Sequence, residues 1–200
     1  SGPFNKQFLS FDTTAAGFMG VWAKANTREA LWDAMQRRET FATTGPRMTV
    51  RFFGGYDFAG ADLGNLVKAG YTRGVPMGGD LKPAPAGKAP TFLVAAMKDP
   101  QGANLDRVQV IKGWVDARGQ THEQVFEVKW AGDRKPDANG KLPPVGNTVD
   151  LKTATYSNSI GAAELVGLWT DPGFDPKQRA VYYVRVLEIP TPRWTAYDQV

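Results

Sequence analysis

Few groups in this chain could do chemistry. It contains one histidine, His122, and no cysteine. Thiolate metal sites, disulfide scaffolds and cysteine nucleophiles are therefore excluded, and a multi-histidine metal site cannot be assembled. A Ser-His-Asp triad would depend on His122 alone. No serine stands in a Gly-x-Ser-x-Gly elbow, the turn that exposes such a nucleophile. His122 shares its alternation with Phe126, Val128 and Trp130, so it reads as a strand-rim residue beside a turn and not as a catalyst.

Asp133, Asp137, Asn139 and Gly140 give one loop the oxygen-rich look of a calcium site. The acid spacing is incomplete and no Glu closes a twelve-residue register. Asn139-Gly140 is better read as a turn, because both residues tolerate positive φ. Gly54-Gly55 and Gly78-Gly79-Asp80 do not join a strand to a helix opened by Lys-Ser/Thr, so they read as turns and not phosphate cradles. Trp114, Trp130, Trp169, Tyr182, Tyr183 and Trp194 could stack a sugar or a base. At strand period, however, such aromatics fill a sandwich core. Residues 191–198 are too polar and aromatic for a fraying tail. Arg193 and Trp194 are the residue types that anchor interfaces. With Arg47 and Tyr197 they form the candidate ligand or interdomain contact, and docking on a neighbouring domain is the preferred reading.

The elements that would position these residues follow from periodicity. Asn26-Thr27-Arg28-Glu29 reads as a capping box in which the Asn26 side chain accepts from the Glu29 N–H. Ala30, Leu31, Ala34 and Met35 form a helical stripe flanked by Trp32. Arg37 and Arg38 suit the negative end of the dipole, and the pattern predicts a helix over 27–39. The period then changes to two. Residues 40–44 and 47–53 read as strands broken at Gly45-Pro46, with Met48, Val50 and Phe52 on one face. Residues 54–90, rich in Gly and Pro, predict long loops with an irregular strand. A buried strand follows over 91–98.

Residues 106–116 and 121–131 alternate cleanly around turn chemistry at 116–120, the strongest hairpin in the chain. Further strands are predicted over 149–156, 163–169 and 179–189, the last stopped by Pro190 and Pro192. Tyr182-Tyr183-Val184-Arg185-Val186 has the pattern of a central strand in an immunoglobulin-like sandwich, where a tyrosine hydroxyl pins the adjoining corner. Residues 1–24 carry Phe4, Phe8, Phe11, Phe18, Met19 and Trp22 without a period, as a segment packed against something larger would. The fold class expected is mainly β (α+β): an immunoglobulin-like antiparallel β-sandwich over 40–200, with an N-terminal helical appendage over 1–39.

Composition agrees with this picture. At 200 residues and 42% apolar the chain can bury a core without staples. The 22 Gly and 14 Pro exceed a usual level of about 12% and favour short strands between turns over a helical bundle. The net charge of +4 comes from cations scattered among acids, never four in a row. That is an ordinary solvated surface, which argues against a nucleic-acid partner. The longest uncharged apolar stretch, 15–23, is too short to span a bilayer. No signal peptide is visible.

Several motifs match something more specific. They are Gly20-Val21-Trp22-Ala23, Asn26-Thr27-Arg28-Glu29-Ala30, Arg38-Glu39-Thr40-Phe41-Ala42-Thr43-Thr44-Gly45-Pro46-Arg47 and Gly113-Trp114-Val115-Asp116. Gly140-Lys141-Leu142-Pro143, Val145-Gly146-Asn147-Thr148-Val149-Asp150 and Leu187-Glu188-Ile189-Pro190-Thr191-Pro192-Arg193-Trp194-Thr195 complete the set. Through nearly its whole length the chain resembles a bacterial family of exported proteins known only as a domain of unknown function (serial number thirty-six hundred and four).

The resemblance implies a parent of the polymerase-and-histidinol-phosphatase (PHP) type, a metal-dependent hydrolase whose distorted α/β barrel holds a divalent-metal cluster. The ligand motifs of that barrel, His-x-His and a later Asp-x-His, are absent from this sequence. No metal ligand and no catalytic residue carries over, and no cofactor is expected in this chain. By the same resemblance, residues 1–39 are the remnant of the barrel and 40–200 an accessory β domain, inert alone. Its partner would be the missing barrel, and its location periplasmic or otherwise exported. The competing expectation is a carbohydrate- or ligand-binding module.

Overall fold

Alternating apolar residues fold here into antiparallel sheets that bury one face against each other. The computed structural model describes residues 17–200, without the side chain of Trp194. In chain order the described elements are β1 (Met19–Val21), α1 (Arg28–Gln36), β2 (Thr40–Ala42), β3 (Thr49–Gly55), a 3-10 turn (Gly60–Asn65), α2 (Leu66–Arg73), β4 (Gly74–Pro76) and β5 (Thr91–Met97). They continue with β6 (Leu105–Val115), β7 (Thr121–Trp130), β8 (Glu164–Thr170), β9 (Ala180–Glu188) and α3 (Trp194–Tyr197). The strands form a β1-β2 ribbon, a four-stranded sheet ordered β4-β3-β5-β8 and a three-stranded sheet ordered β7-β6-β9. The chain is mainly β, as expected.

Phe52, Phe92, Val94, Ala96 and Leu165 of the four-stranded sheet pack against Leu105, Val108 and Val110 of β6, with Tyr182, Val184 and Val186 of β9 beside them. On the opposite face of the four-stranded sheet, Phe53 and Leu93 pack on Phe58, Leu66 and Ala69. Strand β5 is thus covered on both faces, which is why its sequence reads as a continuous apolar run. Each such fully buried large side chain contributes about 1.5–3 kcal/mol. Helix α2 approaches the sheet through Gly70, where an added Cβ would lie 2.3 Å from the Phe53 ring.

The short N-terminal elements are bolted to β3. The Trp22 indole N–H donates to the Val50 carbonyl at 2.8 Å. The Arg51 guanidinium lies 3.4 Å above the Trp22 ring and donates to the Tyr71 hydroxyl, which in turn donates to Glu39 Oε2 at 3.2 Å. Of the apolar residues noted in 1–24, Phe4, Phe8 and Phe11 lie outside the described residues.

The structure corrects three expectations. The first helix is capped by Thr27, whose Oγ1 accepts from the Ala30 N–H at 3.2 Å, and not by Asn26. It also stops at Gln36, because Arg38 turns to φ 61 and delivers Thr40 into its pairing with Val21. The Gly/Pro-rich stretch 54–90 contains α2; only Leu66, Ala69 and Gly70 are buried there, too short a stripe to announce a helix. Residues 149–156 form no strand, only a bridge between Asp150 and Thr155. The Asp150 carboxylate accepts from the Lys152 N–H at 2.9 Å, and such local bonds divert backbone from a ladder.

Candidate functional site

Strands β5 and β9 end, and β6 and β8 begin, at one end of the two packed sheets. Three loops meet there. Asn104 N–H donates to Asn158 Oδ1 at 2.8 Å, and Asn158 Nδ2 donates to the Gly102 carbonyl at 3.1 Å. Lys98 Nζ donates to the carbonyls of Asp99, Pro100 and Gly102 at 3.0, 3.3 and 3.0 Å, closing the loop on itself. Asp99 accepts from the backbone N–H of Arg47 at 2.6 Å and of Gln101 at 2.9 Å. Those two donors hold its carboxyl below the usual carboxylate range.

Glu188 closes β9 on the same side-chain parity as Tyr182, Val184 and Val186, which pack on the core. Among the described residues its Oε1 is buried without a hydrogen-bond partner. Burial, reinforced by the Asp99 charge and opposed by Lys98, pushes the carboxyl up to about 7. Tyr156 stands close by: burial raises its phenol, and Tyr197, Glu188 and Asp99 raise it further.

An open groove of about 330 Å³ adjoins this cluster, with Phe18, Met19, Trp22, Phe41, Arg47 and Met48 among its walls. The Arg47 guanidinium lies 5.8 Å from the Phe18 ring centre. Phe18 and Met19 are 53% and 61% exposed, and Trp32 on α1 is 59% exposed. An apolar wall with one cation suits a partner surface or a small apolar ligand carrying an anionic group.

The four residues singled out from sequence meet different fates. Arg47 lies exposed at the groove and is tied through its backbone to Asp99. Tyr197, half exposed on α3, acts on the Tyr156 phenol. Arg47 and Tyr197 thus flank one cluster although 150 positions separate them in sequence. Arg193 precedes α3 and its carbonyl accepts from the Ala196 N–H at 2.8 Å. The backbone of Trp194 opens α3, and its side chain lies outside the described residues. Sequence reasoning missed Glu188 and Asp99. A carboxylate continuing the apolar parity of β9 was the readable signal for the first.

The opposite end of the sheets carries a second polar group. Lys112 Nζ donates to Asp171 Oδ2 at 2.7 Å and to the Gly173 carbonyl at 2.8 Å. The Tyr182 hydroxyl donates to the same Asp171 oxygen at 2.6 Å. Burial and this carboxylate push the Tyr182 phenol far above its ordinary range. The tyrosine pins its corner through a side-chain carboxylate and not through backbone.

His122 sits at the exposed rim, 2.9 Å from Asp116 Oδ2 and stacked on Trp114 at 5.2 Å. That bond, followed by the Gln120 and Arg118 N–H groups, holds the Asp116 carboxyl low. Of the other aromatics, Trp169 meets Phe92 and Phe126 at 5.7 and 4.7 Å in the core. Among the described residues no three His, Cys, Asp or Glu side chains converge to hold a metal. The described residues therefore do not fit a metal cluster. None of the described helices is long and apolar enough to cross a membrane.

A family model matches residues 3–200. The chain belongs to the family described as Protein of unknown function (DUF3604). No curated protein and no solved structure matches it. The family description names no reaction, so function has to be argued from the site.

Proposed function

We propose that this chain is the C-terminal accessory β domain of an exported, PHP-like metal-dependent hydrolase. It would be immunoglobulin-like in its sandwich and without a reaction of its own, and it would support or line the site of a catalytic barrel. The observation that carries the reading is the exposed apolar wall of the groove: Phe18 and Met19 present large side chains to solvent on the groove that Arg47 also lines. Soluble domains cover such clusters with a partner, and an aromatic and Arg anchor is what a domain interface uses. The motif resemblance adds the identity of that partner, a barrel bearing the metal-binding histidines.

The reading is tested with the parent gene's upstream region expressed as a separate protein. It is expected to bind this chain, and Phe18→Lys with Met19→Lys to weaken binding at least about tenfold, a loss near 1.4 kcal/mol. Phosphoester or amide hydrolysis by this chain alone with added manganese or zinc, or an upstream region without His-x-His, overturns it. The competing reading, a ligand-binding module, rests on the groove volume, which falls at the low end of ligand sites at about 300–1,000 Å³. Saturable quenching of tryptophan fluorescence by a glycan, lost in Trp22→Phe, would favour it.

A further inference from the structure

Two ionisable side chains of opposite sign meet at the loop end of the core. Strands β5 and β9 run in the same direction on facing sheets, with Phe92 against Tyr182 at 4.6 Å near their starts. From that contact, alternate residues face the shared core: Phe92, Val94 and Ala96 on one side, Tyr182, Val184 and Val186 on the other. The next residues in the same alternation are Lys98 and Glu188. Backbone bonds bring both to one end. The Lys98 N–H donates to the Ala163 carbonyl at 3.0 Å, Leu105 and Ala162 exchange N–H···O bonds at 2.8 and 2.9 Å, and Leu105 pairs with Glu188.

The two groups nonetheless have separate surroundings. Lys98 Nζ donates to the carbonyls of Asp99, Pro100 and Gly102, while among the described residues Oε1 of Glu188 has no partner. An ionised carboxylate attracts an ammonium more strongly than a neutral carbonyl does. Lys98 turned to carbonyls beside Glu188 is therefore the arrangement of a protonated Glu188. Burial, then the neighbouring Asp99 charge, keep that proton on up to about 7, against the pull of Lys98. Asp99 itself stays ionised through its N–H donors, and Tyr156, which also feels Tyr197, stays a neutral phenol. On β6, Leu105 is apolar and the Asp106 carboxylate is bound by Arg107 and Arg134. The loop over 158–162 contains no titratable residue.

We infer that Lys98 and Glu188 form a proton-operated latch: when Glu188 gives up its proton, Lys98 Nζ leaves the loop carbonyls and pairs with Glu188, and the loop over 99–102 loosens. Asp99 carries the change outward, because its carboxylate accepts from the Arg47 N–H at 2.6 Å and Arg47 lines the groove. Lys98 gives up its carbonyl bonds to make the new pair, so the ionised form remains the less stable one. The latch gives the groove a pH dependence, but it does not rest on a barrel docking there, since its readout lies within the loop.

Amide hydrogen exchange on the full chain, corrected for the intrinsic pH dependence of exchange, tests it. The Arg47 and Gln101 amides, both bonded to Asp99, are expected to lose protection at least about fivefold between about pH 5.5 and 8.5. The Val108 and Val110 amides of β6 should keep theirs. The midpoint should coincide with the titration of the Glu188 carboxyl, followed by its carbon chemical shift. Glu188→Gln should hold both loop amides at their low-pH protection throughout, and Lys98→Met should leave them poorly protected at either pH. Flat protection in the parent chain, a midpoint displaced from the Glu188 titration, or a pH dependence that survives Glu188→Gln overturns the proposal. Equal loss at Val108 and Val110 also overturns it, because the sheet would then be opening as a whole.

Discussion

Strand β9 runs between two polar groups treated in opposite ways. At its start, Tyr182 joins Lys112 and Asp171, where every charge has a partner: Asp171 accepts from Lys112, Tyr182 and the Gly173 N–H. At its end, Glu188 keeps a buried oxygen with no partner. The first arrangement locks the turn after β8 onto β6 and β9. The second lies beside the exposed Arg47 and Tyr197. A fully satisfied polar network rigidifies, while an unsatisfied buried group costs stability wherever it is retained. The contrast separates an end of the molecule whose buried charges are all paired from an end where one buried carboxylate oxygen is not.

The largest effect should come from breaking the satisfied end. Lys112→Ala leaves Asp171 buried without its cation and is expected to cost about 3–5 kcal/mol, or roughly 10 °C in Tm for a chain of this size. Thermal unfolding measures it. Restoring an apolar pair with Lys112→Met and Asp171→Leu together should recover most of the loss, and failure to recover would mean the turn itself depends on Asp171.

Tyr182→Phe removes one donor from a charged acceptor and should cost about 1.5–3 kcal/mol by denaturant titration. A cost as large as that of Lys112→Ala would make the hydroxyl, and not the lysine, the main partner of Asp171.

At the other end the sign is set by protonation. The folded protein holds the Glu188 proton up to about pH 7, whereas the group ordinarily releases it near 4.5. Stability should therefore fall as pH rises from 4.5 to 7 and level off above that. Glu188→Gln should flatten this slope and leave the variant more stable than the parent chain at pH 8, with little difference near pH 4. A parent chain whose Tm is flat across that interval would show that Glu188 is solvated or partnered after all, and the contrast between the ends would collapse.

His122→Ala is the smallest change. Its ring is exposed and, among the described residues, paired with Asp116 and Trp114, so stability should move by less than about 0.5 kcal/mol. A larger loss would show that the rim hairpin, and not only Lys112 and Asp171, holds that end together.

Local pattern was enough for the hairpin of β6 and β7, the strand β9, the buried strand β5 and the existence of α1, because periodicity of two or 3.6 is a property of neighbouring residues. It also placed Arg47 and Tyr197 among residues worth attention. Only the tertiary structure could pair Lys112 with Asp171 across 59 positions or seat Arg47 on Asp99 across 52. It alone showed that α2 covers Phe53 and Leu93, and that Oε1 of Glu188 is buried with no hydrogen-bond partner among the described residues. Those outcomes depend on how two sheets stack and where their loops meet. Charge pairing and burial are set by that distance through space, and no spacing along the chain encodes it.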